Sequence, residues 1–117
     1  MDNDCLFCRI VAGEIPATVV YETDTTLAFR DIDPKAPVHV LVIPKGHHTD
    51  VVALALADPA GTADLLAAAA EVAERAGLRG DGFRLIFNNG ADAGQEVFHA
   101  HGHVLGGTPL GPMVMLR

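Results

Sequence analysis

VFHAHGHVLGG, residues 97–107, places three histidines at alternate positions between apolar residues. The flanks at 97–98 and 104–105 are aromatic, aliphatic and β-branched, which favours an extended chain. A strand sends residues i, i+2 and i+4 to the same face. We therefore expect a buried strand that carries three imidazoles on one face: His99, His101 and His103.

Three alternating histidines are compatible with several kinds of site. Neighbouring same-face positions on a strand lie about 6.6 Å apart, so His99 and His103 would be roughly 13 Å apart and no single metal ion could take all three. Two of them could ligate one ion with a third ligand from elsewhere. Alternatively, one could attack as a neutral imidazole while another donates to an anion. A solvated polar face on an edge strand is the third interpretation, which H-x-H-x-H between apolar flanks disfavours, whereas spacing does not separate metal from phosphoryl chemistry.

The loop before the histidines, NNGADAGQE (residues 88–96), favours an anion. Gly90 and Gly94 free the backbone for close approach to a ligand, and backbone amides with the side-chain amide of Gln95 are groups that cradle phosphate. His39, in VHVLVI, could be brought beside the other histidines by strand pairing. For His39 a hydrogen-bonded core histidine is the alternative.

The rest of the chain predicts an α+β fold. CLFCRIVAG favours a short N-terminal helix closed by Gly13, and Asp58, Pro59 and Gly77 mark the start and end of a long amphipathic helix. Strands are predicted at 18–22, 27–32, 38–43 and 83–87, followed by the histidine strand. We expect one domain over residues 1–117, with a five-stranded, mainly antiparallel sheet, and an extended arm at 108–117.

Composition limits the partners. The 117 residues are half hydrophobic and carry a formal net charge of −7. A chain without a basic stripe gains little from counterion release, so we expect no nucleic acid polymer as a partner. The apolar runs are too short to cross a bilayer, and the start MDNDC has no signal-peptide pattern, so we expect no membrane and a cytoplasmic location.

The motif HAHGHVLGG, with AGQEVF before it, resembles the signature of the histidine triad (HIT) family, H-x-H-x-H followed by two apolar residues. FRDIDPKAPVHVLVIPKGH looks like the central region of that family, and GEIPA and LGGTPLGPM look like its ends. Within that family, the sequence most resembles the Hint branch of purine nucleoside phosphoramidases. The resemblance implies a HIT-like fold, a purine nucleotide substrate, a homodimer and a reaction that requires no metal.

The resemblance also implies roles for individual residues. His101 would attack the α-phosphorus to give a nucleotidyl-histidine that water hydrolyses, His103 would hold the phosphate, and His99 and His39 would orient the nucleophile. Asp31 would bind the ribose hydroxyls, or cap its turn if it is structural. The remaining positions, at the phosphate and around the purine, would be Asn88, Gly94, Gln95, Glu96, Leu6, Phe7, Ile10, Phe29 and Ile32. The apolar members of this set would otherwise be ordinary core.

Cys5 and Cys8 form a C-x-x-C pair. Two buried thiols or a redox pair are possible, but some relatives in the superfamily bind one structural zinc through such a pair. By that resemblance the other ligands would be His99 and His47 of the PKGH segment, with His48 as the alternative to His47. A closed Cys2His2 set leaves no open position for catalysis.

Three functions are therefore open at the level of sequence. The first is a nucleotide hydrolase or transferase with a covalent histidine intermediate. The second is a nucleotide-binding or protein-interaction module whose turnover is incidental. The third is a zinc-dependent hydrolase that uses two of the triad histidines, which predicts that chelation destroys activity.

Overall fold

The structure is a computed structural model that describes residues 4–114. Met115–Arg117, the end of the predicted C-terminal arm, lie outside the described residues. The elements run in the order α1 Leu6–Val11, β1 Val19–Glu22, β2 Thr26–Arg30, β3 Val38–Pro44, α2 Val51–Ala57, α3 Pro59–Arg75, β4 Phe83–Phe87 and β5 Gly102–Gly106. A single 3-10 turn at Ala91–Ala93 lies in the loop between β4 and β5.

The five strands form one sheet in the order β1-β2-β3-β5-β4, and every neighbouring pair is antiparallel. The first three strands make the predicted meander because their connections are short. The last strand, β5, enters between β3 and β4. The predicted α+β class and five-stranded sheet are confirmed.

The sheet separates two apolar layers. One face of β2, β3 and β5 packs through Ala28, Val42 and Val104 against the long helix α3, where Leu65 and Val72 are buried. The other face, with a cluster of Phe7, Leu27, Phe29, Leu41 and Ile43, is covered in part by α1. Alternate residues of a strand point to opposite faces, so the second layer is the face that also carries the functional side chains.

Two helices begin as the sequence predicts. The Asp58 carboxylate accepts from the Gly61 N–H, with Pro59 at the first helical position, and Gly77 follows the end of α3 with a φ of 73°. The Cys5 thiol occupies the N-cap position of α1.

Helix α2 is absent from the sequence-based prediction. Asp50 caps it by accepting from the Ala53 N–H at 2.8 Å, and Leu54 is completely buried. Its seven residues, VVALALA, are too short and too rich in apolar residues for a clear helical period, so tertiary burial rather than propensity accounts for the helix.

The predicted histidine strand is only partly correct. Strand β5 begins at Gly102, so His103 lies in the sheet while residues 97–101 do not. Strand β4 ends at this level, because its last residue, Phe87, pairs with Gly102, and the pairing of β3 with β5 ends at Val42 although β3 itself continues to Pro44. Two residues further along β3, Pro44 has no N–H to donate to the ladder. The three imidazoles therefore do not share one face.

None of the helices in the described part of the chain is long and apolar enough to span a membrane.

Candidate active site

A cavity of about 510 Å³ opens on the α1 side of the sheet. It is lined by Phe7, Asp31, Asp33, Lys35, His39, Leu41, Ile86, Asn88, Gly94, Glu96, Val97, His101, His103 and Leu105. Three of the four histidines assigned to catalysis line this cavity, and His99 does not. The volume is that of an ordinary small-molecule site.

The floor of the cavity follows from strand register. His103 of β5 pairs with Leu41 of β3 and with Ile86 of β4, and His39 pairs with Leu105. Directly opposed residues in an antiparallel sheet project to the same side, so these five side chains form one surface. The sequence analysis missed Leu41, Ile86 and Leu105. Leu105 was accessible by the period of two from His103, and Leu41 by the same period from His39, whereas Ile86 required the strand order.

His101 is 7% exposed, and its hydrogen bonding fixes its tautomer. Its Nδ1 lies 2.7 Å from the carbonyl oxygen of His99, which can only accept, so Nδ1 carries the proton. The other nitrogen, Nε2, is left with a lone pair. No buried side-chain nitrogen or oxygen among residues 4–114 lacks a partner, and no hydrogen bond to this atom exists, so Nε2 is open to the cavity.

His39 and His103 form a second hydrogen-bonded unit. The backbone N–H of Lys35 donates to His39 Nδ1 at 3.0 Å, so the proton of the neutral ring is on Nε2. His39 Nε2 lies 2.9 Å from His103 Nδ1, which accepts it, and His103 therefore carries its own proton on Nε2. His103 Nε2 has no partner among the described residues.

Burial keeps both of these rings neutral. It lowers the pKa of His103 to about 4, with His101 and His39 adding to the effect. Burial also lowers the pKa of His39, although the nearby Asp31 carboxylate partly opposes it. In their neutral forms, the His101 ring presents a nitrogen lone pair to the cavity and the His103 ring presents an N–H. Their ring centroids are 5.1 Å apart.

Polar groups surround this pair. Asp31 is half-buried, with Oδ1 accepting from the Asp33 N–H at 2.8 Å and Oδ2 3.4 Å from His39 Nε2. Asp31 therefore caps its turn and also lines the cavity. Asn88, Gly94 and Glu96 line the opposite part, and Gly94 has a left-handed φ of 85° that a residue with a side chain rarely adopts. Asp33 and Lys35 were not singled out in the sequence.

Only some of the candidate purine contacts line the cavity. Phe7 lines the cavity, with its ring edge-on to His101 at 5.1 Å between centroids. Phe29 is buried beneath Phe7, and Leu6 and Ile10 do not line the cavity. Ile32 is fully exposed beside Asp31.

Gln95 holds the loop rather than facing the cavity. Its Nε2 donates to the carbonyls of Thr49 and Val97 at 2.9 and 3.0 Å, and its Oε1 accepts from the Gly90 N–H at 2.8 Å. Both the nitrogen and the oxygen of the side-chain amide therefore bond to backbone groups of the protein.

His99 belongs to a different cluster. Cys5, Cys8, His47 and His99 bring one ligand atom each to within 4.8 Å of one another. His99 Nδ1 lies 3.4 Å from Cys5 Sγ, 3.5 Å from Cys8 Sγ and 3.3 Å from His47 Nδ1. Bonds of about 2.0–2.1 Å from zinc to nitrogen and about 2.3 Å to sulfur give tetrahedron edges of roughly 3.3 Å and 3.6 Å. The four residues could therefore hold a metal ion without rearrangement.

The protonation of His99 suits a ligand. Its Nε2 lies 2.8 Å from the carbonyl oxygen of Pro44, so the proton is on Nε2 and the Nδ1 lone pair points to the thiols. Burial lowers the pKa of His99, which favours the neutral form that binds metal. His47 rather than His48 enters the cluster.

Two histidines of an H-x-H-x-H motif and a third from a neighbouring strand lie in one cavity of a five-stranded antiparallel sheet. This arrangement defines a histidine triad protein. The model of the HIT domain family matches residues 12–110, and the chain belongs to this family.

Its relatives agree with this assignment. The chain is 42% identical to a purine nucleoside phosphoramidase from Escherichia coli, over 97% of this chain and 96% of that protein. It is 51% identical to an uncharacterized HIT-like protein from Synechocystis, over 93% and 95%. Among solved structures, a HIT family hydrolase from Clostridium thermocellum superposes with a TM-score of 0.92 at 43% identity, covering 98% and 100% of the two chains.

Proposed function

We propose that this protein is a nucleotide hydrolase that cleaves purine nucleoside 5'-phosphoramidates or related adenylates through a nucleotidyl-histidine at His101. One observation carries the proposal: in their neutral forms, two neighbouring imidazoles in one cavity have opposite free groups, a lone pair on His101 and an N–H on His103. A nucleophile beside a donor is what substitution at a phosphoryl group needs. The phosphoramidase relative supports the choice of substrate.

The chemistry proceeds in two displacements. His101 Nε2 forms a bond to the α-phosphorus as the bond from phosphorus to the amine nitrogen breaks, and the leaving amine takes up a proton. Glu96 lines the cavity and is the candidate proton donor. Water then attacks the same phosphorus as the bond to His101 Nε2 breaks, and its proton goes to the carboxylate left on Glu96. This gives the nucleoside monophosphate, returns the electron pair to His101 and restores the proton donor. His103 donates to a phosphoryl oxygen in both transition states.

The nucleoside would be bound by the polar rim. Asp31 has one carboxylate oxygen engaged by its turn, and the other is the candidate acceptor for the ribose hydroxyls. Asn88 and the backbone of Gly94 would contact the phosphate. Phe7 offers an apolar surface in the cavity, and Ile32, an exposed apolar side chain next to Asp31, would be covered by the purine.

Cys5, Cys8, His47 and His99 are proposed to hold one structural zinc. The ligand separations and the His99 tautomer support this choice, and a set of four protein ligands closes the coordination sphere. Zinc there would stabilise the fold rather than supply a reactive position. The nucleophile and the phosphate donor of the proposed reaction are side chains, so the reaction requires no metal. The pair of thiolate ligands is consistent with a reducing, cytoplasmic compartment.

A homodimer completes the proposal. Strand β4 is an edge of the sheet, and its first residue, Phe83, is 40% exposed and lines a surface depression with Ala67, Ala70 and Ala73 of α3. An uncovered edge strand with apolar neighbours favours pairing with a second copy. The molar mass in solution measures this directly.

Two alanine variants test the proposed division of labour. His101→Ala should bind adenosine monophosphate but lose turnover of an adenosine phosphoramidate by several orders of magnitude, the scale for a lost covalent nucleophile. His103→Ala removes one donor among several, so we expect a loss nearer 10²–10³-fold. Equal losses in the two variants would contradict the assignment.

A further inference from the structure

The catalytic cavity contains a second group of residues with the composition of a metal site. Asp31, His39 and His103 each bring one ligand atom to within 4.8 Å of the others. Asp31 Oδ2 is 3.4 Å from His39 Nε2, which is 2.9 Å from His103 Nδ1. Two imidazoles and a carboxylate are a common donor set for transition metals.

The protonation of His39 distinguishes this group from the cysteine cluster. In the cysteine cluster the backbone partner of His99 is a carbonyl, which forces the proton onto the far nitrogen and leaves Nδ1 ready for a metal. At His39 the backbone partner is the N–H of Lys35, which forces the proton onto the nitrogen that faces Asp31 and His103. A ring nitrogen that carries a proton cannot ligate a metal ion.

The proton on His39 Nε2 also determines the tautomer of His103. Because His39 Nε2 donates to His103 Nδ1, the neutral His103 ring carries its proton on the nitrogen without a protein partner. If His39 were turned to the other tautomer, its Nε2 would accept a proton from His103 Nδ1, and His103 would face the cavity with a lone pair. It would then repel a phosphoryl oxygen instead of binding it.

We propose that the backbone N–H of Lys35 is a positioning group that fixes the tautomers of His39 and His103, so that His103 presents a donor to the phosphate and the Asp31–His39–His103 group takes no metal ion. The tautomers do not depend on the proposed function, while the effect on turnover rests on it. The side chain of Lys35 is exposed, and its Nζ donates to the carbonyl and to Oδ2 of Asp33 at 2.8 and 2.9 Å rather than to either histidine.

The loop around Lys35 is built to hold that N–H in place. The Asp31 N–H donates to the His39 carbonyl at 3.0 Å, and the Asp33 N–H donates to Asp31 Oδ1 at 2.8 Å. The loop between residues 31 and 39 is therefore closed by a backbone hydrogen bond to His39, the same residue whose ring the Lys35 N–H orients. Pro34 and Pro37 flank Lys35 and restrict the backbone on both sides.

Nitrogen-15 NMR of the histidine rings in the unaltered protein tests the tautomers directly. At neutral pH, the expected result is a proton on Nε2 of both His39 and His103 and on Nδ1 of His101. A proton on Nδ1 of His39 or of His103 would overturn the proposal. This result is independent of turnover, so it distinguishes a failure of the proposed tautomers from a failure of the proposed function.

A pair of variants tests the source of the effect. Lys35→Pro removes the N–H, and Lys35→Gln keeps it as a matched control. In Lys35→Pro we expect mixed tautomers at His39, inhibition by added zinc chloride, and a turnover loss on the order of 10²–10³-fold, the cost of one lost phosphate donor. Lys35→Gln should keep the tautomers and the zinc response of the unaltered protein.

A folded Lys35→Pro protein with native tautomers, or without inhibition by zinc, would show that another group fixes the rings. A Lys35→Gln protein with altered tautomers would show the same. If Lys35→Pro does not fold, the NMR spectrum of the unaltered protein decides alone.

Discussion

Four histidines of this chain differ in chemistry because each is held by a different partner. His99 and His101 donate to carbonyls, from Nε2 and Nδ1 respectively, and His39 accepts from an N–H. His103 takes its tautomer from His39. Backbone groups cannot change their role as donor or acceptor, so the backbone determines which ring nitrogen keeps a lone pair and which carries the proton, as the proposed roles of the three rings require. The spacing of the motif alone does not contain this information.

At Asp31 the structure separates a structural role from a binding role. Asp31→Asn keeps an Oδ1 that can accept from the Asp33 N–H, so the unfolding midpoint should change little. The charge at the ribose position is lost, and a charge-assisted hydrogen bond is worth about 1.5–3 kcal/mol. We expect adenosine monophosphate to bind roughly 10- to 100-fold more weakly, measured by calorimetry. A large fall in the midpoint with unchanged affinity would make Asp31 purely structural.

At the scale of elements, β5 contributes Val104 to the apolar layer under α3 and His103 to the cavity on the other face of the sheet. Gly102 stands between two histidines at the start of β5, where an added Cβ would lie 2.8 Å from Phe87 Cε1 and 3.2 Å from Leu85 Cδ1. The phenyl ring fills the space that a side chain would need. A glycine inside a strand is thus explained here by close packing on the face opposite the cavity.

Gly102→Ala should therefore destabilise the protein by overpacking, by about 1–3 kcal/mol. The measurement is the free energy of unfolding in urea. Gly80→Ala is the matched control, because the same added atom would meet nothing within 4 Å, and its stability should be almost unchanged. Adding Phe87→Leu to Gly102→Ala should recover part of the loss. Equal effects of the two alanines would contradict the packing explanation.

The sequence predicts most elements because their signals are local. The meander, the cap at Asp58 and the stop at Gly77 follow from alternation, capping and glycine conformation. Helix α2 and the late start of β5 were missed, since one depends on burial of Leu54 and the other on the end of β4 at Phe87, which pairs with Gly102. Likewise the position of Ile86 in the cavity depends on strand order, which no local pattern contains.

At the scale of the whole molecule, the cysteine cluster joins three separate segments. It connects the start of α1, the turn after β3 and the segment before β5, which are up to 94 residues apart in sequence. The His99 carbonyl in this cluster also orients His101. A metal ion there would bind the folded chain and not the unfolded one, and so would stabilise the whole fold.

The zinc proposal predicts a difference between two adjacent histidines. His47→Ala should lose the metal from protein purified without added zinc, and its midpoint should fall on the order of 10 °C. His48→Ala removes a side chain outside the cluster and should keep about one zinc per chain. Elemental analysis and thermal unfolding check both. Zinc retained in His47→Ala, or an unaltered protein without zinc, would contradict the proposed ligand set.

The covalent intermediate on His101 is the central claim. The most direct test is to quench the protein rapidly and without acid during turnover of an adenosine phosphoramidate, and then to map its peptides under alkaline conditions. We expect a nucleotide adduct on His101 within residues 97–105, labile in acid and stable in alkali as a phosphorus–nitrogen bond to imidazole is. His103→Ala should still form it, and His101→Ala should not. An adduct on another residue, or brisk turnover in the His101→Ala protein, would contradict the account.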